Sequence, residues 1–273
     1  MKRNGHEKED ESAFTPSSMP TVRAVERALE VLVAVGQAEG GLSIAQAHRR
    51  TGLHKATAYR LLSTLERAGF VEQDPATRRY RPGYRVLELA AALLRESDLV
   101  EVSLPELRRL RDETGETATL YVREGCDRLC VLRVESRQSV RRAGVAVGER
   151  LPLTRGAAGK VLLAFAGPHE RERICEDYRT RRPQLAPVAG WEAFLQELEE
   201  IRSRGYAVSH GERDPQVRAA AAPVVCHGAP VVAAVSVSGP AARVTQGDLE
   251  RMVPSILQAS RRIALRLTLT NPG

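Results

Sequence analysis

Residues 43–70 read SIAQAHRRTGLHKATAYRLLSTLERAGF, two short helical patterns split by a glycine. Ser43 and Gln46 have the spacing of a capping box, in which each side chain serves the other's orphan backbone amide. The helix they open runs to about Arg50. Gly52 ends it, because a helix that stops in a left-handed residue favours glycine. A second helix begins near His54 and stops at Gly69. At about 100° per residue, Ala58, Leu61, Leu62 and Leu65 fall on one face, while Ala56, Tyr59, Arg60, Ser63 and Arg67 lie opposite. Upstream, residues 21–37 form a helix with Val25, Leu29, Leu32 and Val33 on one side. Downstream, residues 70–73 read as a strand, Asp74-Pro75-Ala76-Thr77 as turn chemistry, and Arg79-Tyr80-Arg81 as a returning strand. Helix, helix, helix, hairpin is the element order of a winged helix-turn-helix.

A polar helical face of this kind has two readings. It is the solvated side of an ordinary surface helix, or it enters a DNA groove. Charge favours the second. Residues 43–85 hold nine cations against three acids, a net +6 in a chain whose formal charge is +7. Clustering of this sort is the footprint of phosphate contacts. Arg60 has the fork that bonds guanine edges, Tyr59 and Ser63 offer hydroxyls, and Ala56 permits close approach. Lys55 and Thr57 lie in the first turn, where side chains and free amides meet phosphate. With Arg78, Arg79 and Arg81 of the hairpin, these residues are the candidate contacts to double-stranded operator DNA.

The length of 273 residues fits two domains. The expected division is a disordered tail over 1–20, a DNA-binding domain over 21–83, a linker helix over 84–99 with Leu87, Ala91 and Leu94 as its stripe, and a second domain over 100–273. Pro105 is expected to separate the linker from the next helix. The second domain reads as α+β with an antiparallel sheet. Strands are expected over 117–123, 129–134 and 140–147. Helices are expected near 157–165, 169–178 and 191–204. Two strands then end at Ser238, and a last helix runs from about Thr245 towards Leu267, kinked or divided at Pro254. The most apolar stretch, residues 219–239, is broken by Pro223, His227, Gly228 and Pro230. A hairpin turning at 227–230 fits it better than a membrane span. The first twenty residues lack the apolar run of a signal peptide, which points to a cytoplasmic protein. The scattered Cys126, Cys130, Cys175 and Cys226 are expected as reduced thiols, and their spacing matches no compact zinc pattern.

Residues 53–70, with Arg79-Tyr80 and Gly83, resemble the winged helix of the IclR family of bacterial transcriptional regulators. The resemblance continues through Glu113-Thr114-Gly115-Glu116-Thr117, Gly148-Glu149-Arg150-Leu151-Pro152-Leu153, Gly159-Lys160, the segment 202–208, Ala221-Ala222-Pro223-Val224 and Ser236-Val237-Ser238-Gly239-Pro240. It spans about 22–267. It implies a GAF-like effector-binding domain after the linker, assembly as dimers or tetramers, transcriptional control that is usually repression, and organic-acid or aromatic effectors. By motif matching, the effector pocket falls on Val140, Ala143, Ala157, Ala158, Ser236 and Ser238. The chain departs from the family in two places. His54-Lys55-Ala56 stands where a proline and Lys-Ser are usual. Ser209-His210-Gly211-Glu212 stands where acidic residues are common.

The residues themselves are suited to a cavity. Gly156-Ala157-Ala158-Gly159 at a helix start gives room and free amides, and a carboxylate there gains from the helix dipole. Ser236 and Ser238 share one side of a strand. The alternatives are tight helix packing for the first and a solvated sheet face for the second. With Arg141 and Arg142 near the pocket strand and fewer acids after Val208, an anionic effector is expected. No cofactor is implied. An enzyme would draw on His210, Cys226 or His227, but no acid–base–nucleophile order accompanies them. A chromosome- or RNA-binding protein without a ligand would not need the second domain.

Overall fold

The structure, a computed structural model, describes residues 21–95, 97–138, 144–226 and 231–270. The expected tail, the turn at 227–230, and Val140, Arg141, Arg142 and Ala143 lie outside these. Contacts divide the chain into two compact units, Met1–Leu93 and Leu94–Gly273.

In the first unit, α1 (Arg23–Gly36), α2 (Ile44–Thr51) and α3 (Lys55–Arg67) precede a hairpin of β1 (Val71–Gln73) and β2 (Tyr80–Pro82), and α4 (Tyr84–Arg95) follows. The capping box is made: the Ser43 amide donates to Gln46 Oε1 at 2.9 Å and the Gln46 amide to Ser43 Oγ at 3.2 Å. Gly52 closes α2 at φ +70°. The core is Val31, Ala34, Val35, Leu42, Ala47, Ala58, Leu62, Val71 and Tyr80. Leu42 and Tyr80 exchange backbone hydrogen bonds of 2.8 and 2.9 Å, which ties the hairpin to the segment before α2. Burial of each side chain contributes about 1.5–3 kcal/mol.

The first helix adds to the sequence reading. α1 carries two apolar stripes, and the core takes Val31, Ala34 and Val35, at i, i+3 and i+4. Of the residues expected on one side, Leu32 packs against this core, while Val25, Leu29 and Val33 are each more than half exposed. On α4, Leu87 and Leu93 are 62% and 70% exposed.

The second unit is a six-stranded antiparallel sheet between two helical layers. α5 (Asp98–Thr114) leads into β3 (Thr117–Glu124) and β4 (Asp127–Val134). Then come β5 (Arg150–Pro152), α6 (Ala157–Ala164), α7 (Pro168–Thr180), α8 (Trp191–Arg204), β6 (Ala207–His210), β7 (Val217–Val225), β8 (Val231–Pro240) and α9 (Gln246–Thr270). The strand order is β5-β4-β3-β8-β7-β6. Side chains alternate across the sheet. Ala118, Leu120, Val235 and Val237 pack with Leu107 and Leu110 of α5 and Ile256 and Ile263 of α9. Tyr121, Cys130, Ala221 and Ala234 pack with α6, α7 and α8.

Three expectations change here. Pro105 separates nothing: it lies inside α5, whose start is capped by Ser97. Losing one backbone hydrogen bond is outweighed by docking Leu107 and Leu110 on the sheet. Of the two outcomes expected at Pro254, a kink or a division, the division is excluded, since Pro254 lies within an undivided α9. The described part of the expected strand at 140–147, residues 144–147, is irregular chain. The short strands β5 and β6 have no counterpart in the sequence reading.

Candidate DNA-binding surface and effector cavity

The turn between α2 and α3 is held locally. His48 Nδ1 lies 2.7 Å from the Leu53 carbonyl oxygen, and Thr51 Oγ1 donates to the Ala47 carbonyl at 2.8 Å. α3 then buries Ala58 and Leu62 and half-buries Leu61 and Leu65, as its periodicity requires. Lys55, Ala56, Tyr59, Arg60 and Arg67 are exposed, while Thr57 and Ser63 are half-buried. In the hairpin, the Asp74 carboxylate accepts from the Ala76 and Thr77 amides, which holds its charged form and lowers its pKa. Arg78 sits at the tip with φ +56° and is exposed, as is Arg81. Arg79 differs from the other two. Its Nη1 donates to the Gly41 carbonyl at 3.0 Å and to Gln46 Oε1 at 3.4 Å. It fastens the hairpin to the start of α2, which sets it apart from a freely exposed wing cation.

In the second unit, a cavity open to the centre of a water molecule over about 90 Å³ lies between the sheet and α6. That is several times the roughly 10–15 Å³ that one water needs. Register explains its lining. Thr117 pairs with Ser238, Ser238 with Ala219, and Ala219 with Ser209, a straight row across four strands. The next row runs Thr119, Ser236, Ala221 and Ala207. The face therefore presents alternating hydroxyls and methyls, and Thr117, Thr119, Ser209, Ser236 and Ser238 all line the cavity. Ala157 and Ala158 line it from the first turn of α6. Ser236 donates to the Ala220 carbonyl at 3.1 Å, so it meets a ligand chiefly as an acceptor.

The charges differ from expectation. Glu212 and Asp214 line the cavity, so acids are present in the segment that follows β6. Glu212 accepts from the Gly156 amide at 2.7 Å and from Lys160 Nζ at 2.5 Å. One of the amides expected to be free at the start of α6 is thus occupied. Lys160, almost fully buried, also donates to Glu197 at 2.6 Å. Glu116 and Arg243 form a two-pronged pair at 2.6 and 2.9 Å, and the bond to Glu116 raises the Arg243 pKa. Burial raises the Tyr121 pKa and lowers that of Arg128, which stands 5.4 Å over the Tyr121 ring.

The sequence reading missed Arg128, Arg133, Glu116 and Arg243 as lining residues. Thr117 and Thr119 carried the same every-other-residue signal as Ser236 and Ser238. Of the residues considered for catalysis, His210 stands opposite Arg218 near one end of β7, while Cys226 follows its other end. No helix among the described residues is long and apolar enough to cross a membrane.

A helix-turn-helix with a basic hairpin, in one chain with a second domain that encloses a polar-lined cavity, is the architecture of a transcriptional regulator. Residues 24–75 match the IclR helix-turn-helix domain, and residues 91–265 match the bacterial transcriptional regulator IclR C-terminal domain. The chain belongs to the IclR family of transcriptional regulators. It is 33% identical to the HTH-type transcriptional regulator BhcR of Paracoccus denitrificans over 89% of this chain and 86% of that one. It is 30% identical to the HTH-type transcriptional repressor AllR of Salmonella typhimurium over 86% and 89%. Its fold matches the crystal structure of an IclR homolog complexed with 4-hydroxybenzoate from Microbacterium hydrocarbonoxydans, with TM-score 0.73, 25% identity, and 90% and 99% of the two chains covered. These relatives are regulators rather than enzymes.

Filling the cavity should separate its role from its packing. Ala157→Leu adds three carbons where Ala157 lines open space. Ligand affinity is expected to fall about tenfold or more, while the thermal midpoint changes by only a few degrees. Differential scanning fluorimetry of the full chain with and without ligand checks both; a variant that binds like the parent would place the ligand elsewhere.

Proposed function

We propose that this protein is an effector-controlled repressor that binds its operator as a homodimer or a dimer-based tetramer. The exposed basic and hydroxylated face of α3 is the observation that carries this reading, since a packed or acidic face would not suit a major groove. Lys55, Ala56, Thr57, Tyr59, Arg60 and Ser63 read or approach bases and phosphates. Arg78 and Arg81 meet the backbone, and Arg79 holds the hairpin in place. Repression follows the named role of the AllR relative. A second copy of the chain suits the exposed stripe Val25, Leu29 and Val33 of α1, with Val22 just before it, and the exposed Leu87, Leu89 and Leu93 of α4.

The effector occupies the cavity lined by Ala157, Ala158, Ser236 and Ser238, with Val140 and Ala143 proposed beside it from the family resemblance. It is an anionic organic or aromatic acid. The relative solved with 4-hydroxybenzoate supports an acid.

A two-fold dimer presents two α3 helices, so the operator is an inverted repeat. Half-sites are expected about 10 bp apart, or a multiple of that. Selection of bound genomic fragments followed by footprinting tests this; a single asymmetric half-site held by a monomer overturns the dimer model.

A further inference from the structure

The least ordinary group in the cavity is Arg128. Its residue exposure is 4%, yet none of the described carboxylates forms an ion pair with it. Nη1 is used: it donates to the Pro152 carbonyl at 2.5 Å and to the Arg155 carbonyl at 2.6 Å. Nε is buried and has no hydrogen-bond partner among the described residues. The other edge of the guanidinium faces the start of α6, where a Cβ on Gly156 would stand 3.1 Å from Nη2. Leaving such a donor unpaired is expensive, and leaving an unpaired cation in a low-dielectric site more so. The neighbouring anions are engaged: Glu116 with Arg243, Glu212 with Lys160 and the Gly156 amide.

We infer that Arg128 is the anion anchor of the cavity, its Nε–Nη2 edge receiving a ligand carboxylate in two-pronged fashion while the hydroxyl rows of β3 and β8 receive the ligand's polar groups. This rests on the proposed effector role of the same cavity, and it adds a residue outside the set transferred by motif. A guanidinium fork matches a carboxylate in geometry and charge. Such a ligand supplies the acceptor and the counter-charge that no described residue gives Arg128. Its remaining atoms lie against Thr117, Thr119, Ser236 and Ser238.

The test is titration calorimetry on the full chain with acetate, lactate, succinate and 4-hydroxybenzoate, each paired with its uncharged amide. At least one acid is expected to bind about tenfold or more tightly than its amide. Arg128→Met should abolish that preference. Arg128→Lys, which keeps the charge and loses the fork, should retain part of it. Ser238→Ala should weaken acid and amide together. If Arg128→Met does not fold, the acid–amide pairs on the parent and the Arg128→Lys titration decide. The inference is overturned by three results: no acid bound at about 10 mM, acid and amide bound alike, or variants that bind the acid as the parent does. DNA binding separates this from the regulator reading. An acid that binds through Arg128 but leaves operator affinity unchanged removes the regulatory reading and keeps the anchor. An acid that shifts operator affinity equally in the parent and in Arg128→Met removes the anchor and keeps the regulator.

Discussion

Gly83→Ala should destabilise the DNA-binding unit by about 3 kcal/mol or more. Gly83 follows β2, and its amide donates to the Phe70 carbonyl at 2.8 Å where the hairpin returns against the end of α3. A Cβ there would overlap the Gly69 carbonyl oxygen and press on the Phe70 backbone carbon. The obstacle is main chain, not a side chain that can rotate away. The hairpin must therefore move off α3, taking the Leu42–Tyr80 bonds with it. Gly36→Ala is the contrast: nothing lies within 4 Å of the added methyl, and the site is helical. It should stabilise by up to about 1 kcal/mol. Hydrogen exchange over residues 40–83 reads both signs, with Gly83→Ala faster and Gly36→Ala no faster than the parent. Equal protection in Gly83→Ala and parent would show that the close approach is not required.

The second large effect is on DNA. Arg60→Ala should cost about 1–3 kcal/mol of operator binding and relax preference at one base position, because a two-pronged guanine contact carries sequence information. The double variant Arg78→Ala/Arg81→Ala should behave differently. It should weaken all sequences more evenly and reduce the salt slope by about two, since each phosphate contact releases about one counterion. Arg79→Ala should act through structure, loosening the hairpin from Gly41 and Gln46. Its footprint should be slower association with greater exchange in β1 and β2. Anisotropy titrations at several salt concentrations distinguish the three. If Arg60→Ala changes the salt slope and leaves base preference intact, α3 is not seated as proposed.

The contrast among these arginines shows what the sequence could and could not convey. α3 was legible because its apolar residues recur at helical spacing, and the capping box because its two partners are three residues apart. α8 was legible for the same reason, bounded by Gly190 and Gly205. Arg79 was not separable from Arg78 and Arg81: adjacent residues differ in direction only once the hairpin register is fixed. α1 was legible as a helix but not in its seating, because it has two apolar stripes and sequence alone does not say which one the chain keeps for itself. The strands β5 and β6 are three and four residues long, too short for alternation to register. Arg128 was invisible for a different reason. On a strand a lone arginine reads as a solvent-facing residue, and its burial depends on β5 and α6 closing over it. The same closure brings Glu212 back to the first turn of α6, so acids that looked lost from the segment after β6 are present in the cavity wall.

Linking the cavity to the operator requires a ligand that binds the DNA-competent and DNA-incompetent states unequally, because equal affinity moves no equilibrium. The decisive measurement is the anisotropy isotherm of the full chain on its selected operator, recorded with and without an acid shown by calorimetry to bind. The proposed mechanism predicts a shift in operator affinity of about 5–150-fold, the range of a coupling of about 1–3 kcal/mol, with the acid's own affinity changed by the same factor when operator is present. Superimposable isotherms at saturating acid would contradict it.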